Sequence, residues 1–491
     1  MQHISRYLLL LLWPLYFVLD GYNRFEGFIP FNECLKILGV IIPSSIVVYL
    51  LSKLKFSNEK GLLLTWWLVS CYLFFRTILD KVIVHEKLKV LNNAPYYLPF
   101  FSILTIVFIL FLIKGKDHIA SRLLTFLTVL AVAFIVYEIT RIASASPTDD
   151  NKPLVTNQLS FARTKIPKRP DVYLFVMDEY SGFESLLYYH NYSNQPFKDS
   201  LEKRKFFVAN NPASNYNLTW ISVLSLMQMD YIHNLSDSIK SEVTIYSRAA
   251  QAIQKNNAVD FFSSHGYKII NNTFFELKNT ESNPYLVLPV GRRLLLDKTF
   301  GNVAREGLFH NIPSNQIQDI LNTRFAATNK YNERVHDTFI KTLQKKDTPI
   351  FIYSHFLLPH IPYLKRPDGT TKNYAEVYKE SRKRNTDKGY IENLQYSNSM
   401  LLQFVDSIQK RSPDAVIIIT SDHGNRFVYQ KRKRELDFNN FLAVYKNDGN
   451  YTGFSDTTTT VNIFRIILNN TFGQQLPLLE NKKMDVAKGH L

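Results

Sequence analysis

Apolar residues crowd into five blocks at the start of this chain: Tyr7–Leu19, Ile37–Leu51, Gly61–Phe75, Tyr96–Ile113 and Leu123–Tyr137. Inside a bilayer every backbone N–H and C=O must be paired within its own segment or ladder, so repeated blocks of this kind fold as helices. Several are shorter than the roughly 20 residues a spanning helix needs and reach that length only with their flanks. Their repetition predicts a transmembrane domain of about five helices over residues 1–142 rather than a soluble bundle. No small-residue cleavage site follows the first block, which therefore reads as a retained anchor and not a signal peptide.

The short loops suggest an orientation. Lys53, Lys55 and Lys60 separate the second and third blocks, and Lys114, Lys116 and Arg122 the fourth and fifth. The first loop carries Asp20, Glu26 and Glu33 against Arg24, and Arg6 opens the chain. The positive-inside rule then puts the N-terminus in the cytoplasm, and five crossings put the remainder outside. Lys81, Lys87 and Lys89 argue the other way. Both cysteines, Cys34 and Cys71, lie in or beside the apolar blocks, so disulfide and thiol chemistry are excluded from the remainder. The net charge of +16 suits anionic headgroups or a polyanionic substrate, or simply a basic solvated surface.

Residues 143–168, polar and without periodicity, read as a linker, and residues 169–480 as an exported domain with a loose tail over 481–491. Within that domain, Asp414–Gly424 reads DAVIIITSDHG. Its β-branched run predicts a strand buried on both faces, ending in Asp422-His423 with Gly424 for a sharp turn. A second buried run, Asp171–Met177, ends in Asp178-Glu179. If these strands are parallel neighbours, all four polar side chains meet at the carboxyl edge, where open α/β sheets place their ligands. Carboxylate and imidazole together suit one divalent metal ion, zinc or manganese.

Between them, Thr219–Met229 has the spacing of a buried helix, with Asn215 or Asn217 as its expected N-cap. Thr219 then stands at the positive end of the helix dipole, where a metal could activate its hydroxyl; capping by Thr219 or Ser222 is the simpler role. A third buried strand, Pro349–Phe356, brings His355 and His360 to the same edge. Tyr267–Ile270, Tyr285–Pro289 and Phe441–Tyr445 read as further strands. Helices are expected over Asn315–Gln344 (interrupted near Ala326-Ala327-Thr328), Tyr390–Gln409 and Thr460–Leu468, with a long surface loop over Lys365–Lys388 and a basic loop at Lys431-Arg432-Lys433-Arg434.

This order of a strand ending in Asp178-Glu179, Thr219 opening a helix in NLTWISVLSL, HFLLPHIPY at 355–363 and SDHG at 421–424 resembles the alkaline phosphatase/sulfatase superfamily. More narrowly it is similar to membrane-anchored sulfatase-like transferases, the lipoteichoic acid synthases and lipid A phosphoethanolamine transferases, which carry about five membrane helices before an exported catalytic domain. The resemblance implies a central, mostly parallel sheet in an α/β domain, and a bacterial inner-membrane protein with its catalytic domain outside the cytoplasm. It implies that Asp178 or Glu179, Asp422 and His423 bind the metal with Thr219, the nucleophile. It implies that His360 and His355 contact the transferred phosphate.

Two departures stand out. Such transferases have a further His soon after SDHG, whereas here none occurs between His423 and His490, leaving Arg426 to contribute charge. The formylglycine motif of sulfatases, Cys or Ser ahead of Pro and Arg, does not occur. The implied reaction moves a phosphoryl-containing headgroup from a membrane lipid donor, through phospho-threonine, to an envelope glycan or lipid acceptor. The alternatives are a hydrolase using the same residues, a non-catalytic membrane protein with a degenerate site, and a nucleic-acid binder. The last fits poorly with membrane spans and an external domain.

Overall fold

The structure is a computed structural model and describes residues 4–24, 31–83, 88, 90–91, 94–143, 154–155, 158–162, 169–233, 235, 242–283, 295–296, 298–309, 323–344, 349–373, 376–377, 380, 386–426 and 433–486. The chain forms two compact units, one of Met1–Thr148 with Leu288–Leu321, the other of Asp149–Val287 with Asn322–Leu491.

In the first unit the five apolar blocks become the helices Leu9–Arg24, Phe31–Lys53, Asn58–Leu73, Ala94–Lys114 and Asp117–Ala143. Among the described residues, Glu33–Lys53, Pro95–Lys114 and Asp117–Ala143 are long and apolar enough to cross a membrane. A fourth span results if Asn58–Leu73 and Phe75–Val82, bent 78° from each other, count as one. Trp13, Leu62, Leu63, Leu124, Leu127 and Ala131 form the main core of this unit. The described residues 295–296 and 298–309, expected within the exported domain, belong here instead. Phe300 packs edge-on against Phe75, the Tyr97 hydroxyl donates to the Val303 carbonyl, and Leu295 lies over Gly21. These are tertiary contacts between distant segments, so no local periodicity announces them.

The second unit is built on a six-stranded sheet: β1 Val172–Met177, β2 Phe207–Val208, β3 Lys268–Asn272, β4 Ile350–Phe356, β5 Val416–Ser421 and β6 Leu442–Tyr445. The spatial order is β2-β6-β5-β1-β4-β3. β1 is parallel to β4 and β5, and β3 to β4, while β6 runs antiparallel to β5 and β2. The sheet is thus mixed and mostly parallel. β1, β4 and β5 are buried along their whole length, as their unbroken apolar runs require.

Register assigns the two faces. Val172 pairs with Phe351, so Phe351 and Phe175 project to opposite sides. On one side Phe262 stacks on Phe351 and meets Phe464; on the other Phe339 and Phe404 pack on Phe175. Helices Asn257–Ser264 and Thr460–Phe472 therefore cover one face, and Thr323–Gln344 and Thr386–Arg411 the other.

Several local expectations are corrected. Asn215 and Asn217 do not cap the helix Thr219–Gln228, whose N-cap is Leu218. Asn215 bonds Tyr231, Thr460 and Lys482, and Asn217 bonds Asp485. Those bonds, with the Met484 N–H on the Asn215 carbonyl, hold the C-terminal segment through Val486 in place, so it is not a loose tail. The helix over 323–344 runs through Ala326–Thr328 without a break. Lys365 and Lys372 are buried, Lys372 between Glu380 and Glu392, where an exposed loop was expected. Described parts of the linker are docked: the Leu154 carbonyl accepts from the His233 N–H, and Ala162 pairs with Gln474. Tyr285–Pro289 lies outside the described residues. The two-residue β2 was not expected, being too short to show alternation.

Gly424 closes the β5 turn against backbone. A Cβ there would sit 2.6 Å from the carbonyls of Leu436 and Asn439. Gly424→Ala should cost about 1–3 kcal/mol of stability by overpacking, visible as a lowered melting temperature of the purified protein.

Candidate active site

The carboxyl ends of β4, β1 and β5 lie side by side, and hydrogen bonds stitch the loops that leave them. The Asp178 N–H donates to the Phe356 carbonyl (2.9 Å) and the His360 N–H to the Asp178 carbonyl (3.2 Å). The Glu179 N–H donates to Asp422 Oδ1 (3.0 Å). Glu179 has φ +60°, an uncommon conformation for a side chain of this kind. That bond and the Tyr390 hydroxyl, which donates to the Glu179 carbonyl (2.8 Å), hold it there. Tyr390 also accepts from the Ser181 N–H. Nothing local marked Tyr390, which sits on a helix remote in sequence.

The turn points Asp178 and Glu179 to different partners. Ligand atoms of Asp178, Asp422 and His423 all lie within 4.8 Å of one another, and all three residues are buried. Glu179 instead faces Arg426 Nε (3.4 Å) and His360 Nε2 (3.9 Å). His355 Nε2 lies 4.0 Å from Asp178, with Tyr353 at its Nδ1 and Phe274 and Phe275 around the ring. Fully buried, His355 faces the carboxylate cluster, whereas a contact with phosphate was expected.

Thr219 opens its helix 3.2 Å from His423 Nε2. His423 Nδ1 lies 2.8 Å from the Gly424 carbonyl, which can only accept, so Nδ1 carries the ring proton. Nε2 then presents a lone pair to the Thr219 hydroxyl and, 3.2 Å away, to Asp422 Oδ2. Ser222 does not cap either; its hydroxyl donates to the Asp422 carbonyl. Asp178, Glu179, Thr219, His355, His360, Asp422, His423 and Arg426 thus lie together at the carboxyl edge of the sheet.

Burial pushes the Asp178 carboxyl well above its usual range, and the neighbouring Asp422 and Glu179 charges add to the rise. Burial acts on Asp422 in the same sense, but His423, His355 and the hydrogen bond from the Glu179 N–H outweigh it and hold Asp422 low. Burial drives both His423 and His355 down to about 4. Both rings are therefore neutral near pH 7, the form that ligates metals.

Among the described residues, Asp178 Oδ1, Asp422 Oδ2 and His355 Nε2 are buried without a hydrogen-bond partner. Unpaired buried acceptors are costly, and a bare carboxylate oxygen facing an imidazole lone pair is repulsive. A divalent cation resolves both, so the donor set fits one. Zinc added to metal-stripped protein should raise its melting temperature by preferential binding to the folded state. Elemental analysis should find about one ion per chain in the wild type and a loss of it in Asp422→Ala.

A sulfatase family model matches residues 170–474. No curated protein matches the chain by sequence. Solved structures similar to it include the C-terminal periplasmic domain of EptC from Escherichia coli in complex with zinc, at 13% identity, TM-score 0.40, covering 66% of this chain and 92% of that one. The integral membrane lipooligosaccharide phosphoethanolamine transferase A from Neisseria meningitidis is 11% identical, with TM-score 0.41 and 94% of each chain covered. The phosphonate monoester hydrolase of Agrobacterium radiobacter is 13% identical, with TM-score 0.37, covering 62% of this chain and 74% of that one.

Proposed function

Because the chain belongs to the sulfatase family, we propose that it is a metal-dependent, membrane-anchored transferase that moves a phosphoryl-containing headgroup from a lipid donor to an envelope glycan or lipid. One observation carries the reading. The Thr219 hydroxyl, at the N-terminus of a buried helix, lies 3.2 Å from His423 Nε2, beside two carboxylates with unpaired oxygens.

Asp178, Asp422, His423 and Thr219 would hold the metal, zinc or manganese. When bound, it supplies positive charge that lowers the pKa of the hydroxyl and offsets charge on the phosphoryl oxygens. Thr219 Oγ1 attacks phosphorus, and the bond from phosphorus to the lipid alcohol breaks, leaving the headgroup phosphate on Thr219. Leu218 provides no side-chain cap, so the first N–H groups of the helix remain available to phosphoryl oxygens. Arg426 and His360 add charge on the Glu179 side. His360, the only one of the three site imidazoles not buried, can pass a proton to the departing alkoxide, the task that a His soon after SDHG would otherwise serve. An acceptor hydroxyl then attacks the phospho-threonine and regenerates Thr219. In this reading the N-terminal helices cross the bacterial inner membrane, the catalytic unit lies outside the cytoplasm, and the anchor raises the local concentration of the lipid donor.

Thr219→Ala should lower turnover by about 10³-fold or more while keeping the metal content of the wild type. Product analysis with a lipid donor and a sugar acceptor separates the two chemistries. Headgroup phosphate on the acceptor marks a transferase; its release to water marks a hydrolase. Full activity in Thr219→Ala would remove this nucleophile.

A further inference from the structure

Large apolar side chains exposed on the second unit are few among its described residues: Leu187, Tyr188, Ile361 and Leu478. Single exposed hydrophobics are ordinary; the placement of these is not. Leu187 and Tyr188, 60% and 42% exposed, stand on the helix Phe183–His190, which begins just after the Asp178-Glu179 turn. Ile361, 37% exposed, directly follows His360. The two segments are tied together under the crevice. His190, ending that helix, stacks on Tyr390 at 4.8 Å, and Tyr363 meets the same ring edge-on at 5.9 Å. Tyr390 in turn holds the Glu179 carbonyl. One tyrosine therefore joins the Glu179 turn to the helix that carries Leu187 and Tyr188 and to the segment that follows Ile361.

The rim is also basic. Lys433 Nζ lies 4.0 Å from the centre of the Tyr188 ring, and the Lys433 N–H donates to the Tyr189 hydroxyl. Lys433 belongs to the run Lys431-Arg432-Lys433-Arg434, and Lys388 is two-thirds exposed next to Asp387, the partner of His190. Leucine, tyrosine and isoleucine with lysines beside them match the chemistry of a bilayer interface. Aromatic rings settle at headgroup depth, and lysine stems lie along apolar surface with their charges at the phosphates.

We propose that Leu187, Tyr188 and Ile361, flanked by Lys433, form a bilayer-contact surface that seats the mouth of the catalytic crevice on anionic phospholipid. The occupant is the bilayer because this chain carries its own membrane helices, so a lipid surface is always present at high local concentration. Its positive balance complements anionic headgroups. The inference gives the lipid-donor reading above a route for the donor: a headgroup enters without leaving its leaflet. It rests on that reading for its purpose, but not for its test.

The test uses the full chain in nanodiscs of phosphatidylcholine containing phosphatidylglycerol, with Cys34 and Cys71 replaced by Ala. An environment-sensitive fluorophore is placed at Leu187→Cys, Ile361→Cys or, as an exposed control on the segment bonded to the helix Thr460–Phe472, Leu478→Cys. Brominated lipid should quench the first two by about twofold or more and leave the third unchanged, as expected for side chains at the headgroup boundary. Labels at 187 and 361 that quench no more than the label at 478 would overturn the proposal, and would point to a glycan or protein as the occupant of the rim. In a separate arm, Leu187→Ser with Tyr188→Ser should lower turnover of the bilayer lipid at least about fivefold through lost effective concentration. Turnover of a soluble aryl phosphodiester should stay unchanged. An equal loss on both substrates would overturn it too. A wild type that quenches as expected but turns over neither substrate would sink the enzymatic reading and leave the surface intact.

Discussion

Two carboxylates buried side by side set the terms for the second unit. Asp178 and Asp422 stand within reach of one ion, each with an oxygen that no group among the described residues satisfies. Like charges in such a place cannot both persist without a counter-charge. The surroundings supply only part of it. The rings of His423 and His355 are kept neutral by burial, and Arg426 is engaged with Glu179. The remaining deficit is the physical argument for a cation, and the Thr219 hydroxyl lies 3.2 Å from His423 Nε2 of the same cluster.

The scaffold answers this demand by over-determining the backbone. Glu179 is held in a left-handed conformation by a bond from its N–H to Asp422 and a bond to its carbonyl from Tyr390. Asp422 thus serves twice, once through Oδ1 to the β1 turn and once through Oδ2 toward the crevice. The turn also divides labour between neighbours that the sequence left equivalent. Asp178 joins the cluster with Asp422 and His423, while Glu179 faces Arg426 and His360. Strain at this point is what a pre-organised site is expected to contain.

What was legible in the sequence were features whose physics is local. The buried runs of β1, β4 and β5, the helix opened by Thr219 and the apolar blocks of the N-terminal helices declare themselves by composition and period. So did the site residues, because a parallel sheet whose strands end in Asp178, His355 and Asp422 must gather them at one edge. Residues 295–296 and 298–309 escaped because their contacts with Phe75, Tyr97 and Gly21 are made across the chain. The ordering of the C-terminus escaped for the same reason, since Asn215 and Asn217 were read as caps and instead hold Met484–Val486.

The sequence by itself determined that this chain joins apolar helices to an α/β domain, and which polar residues stand at the carboxyl ends of its buried strands. Hydrophobic period and strand-end position are properties of neighbours along the chain. Only the tertiary structure decided which acidic residue joins the cluster, that His355 lies buried 4.0 Å from Asp178, and that Tyr390 ties the Glu179 turn to the helix ending in His190. Those outcomes depend on side-chain direction at a strained turn and on packing between segments some two hundred residues apart, where no local pattern constrains them.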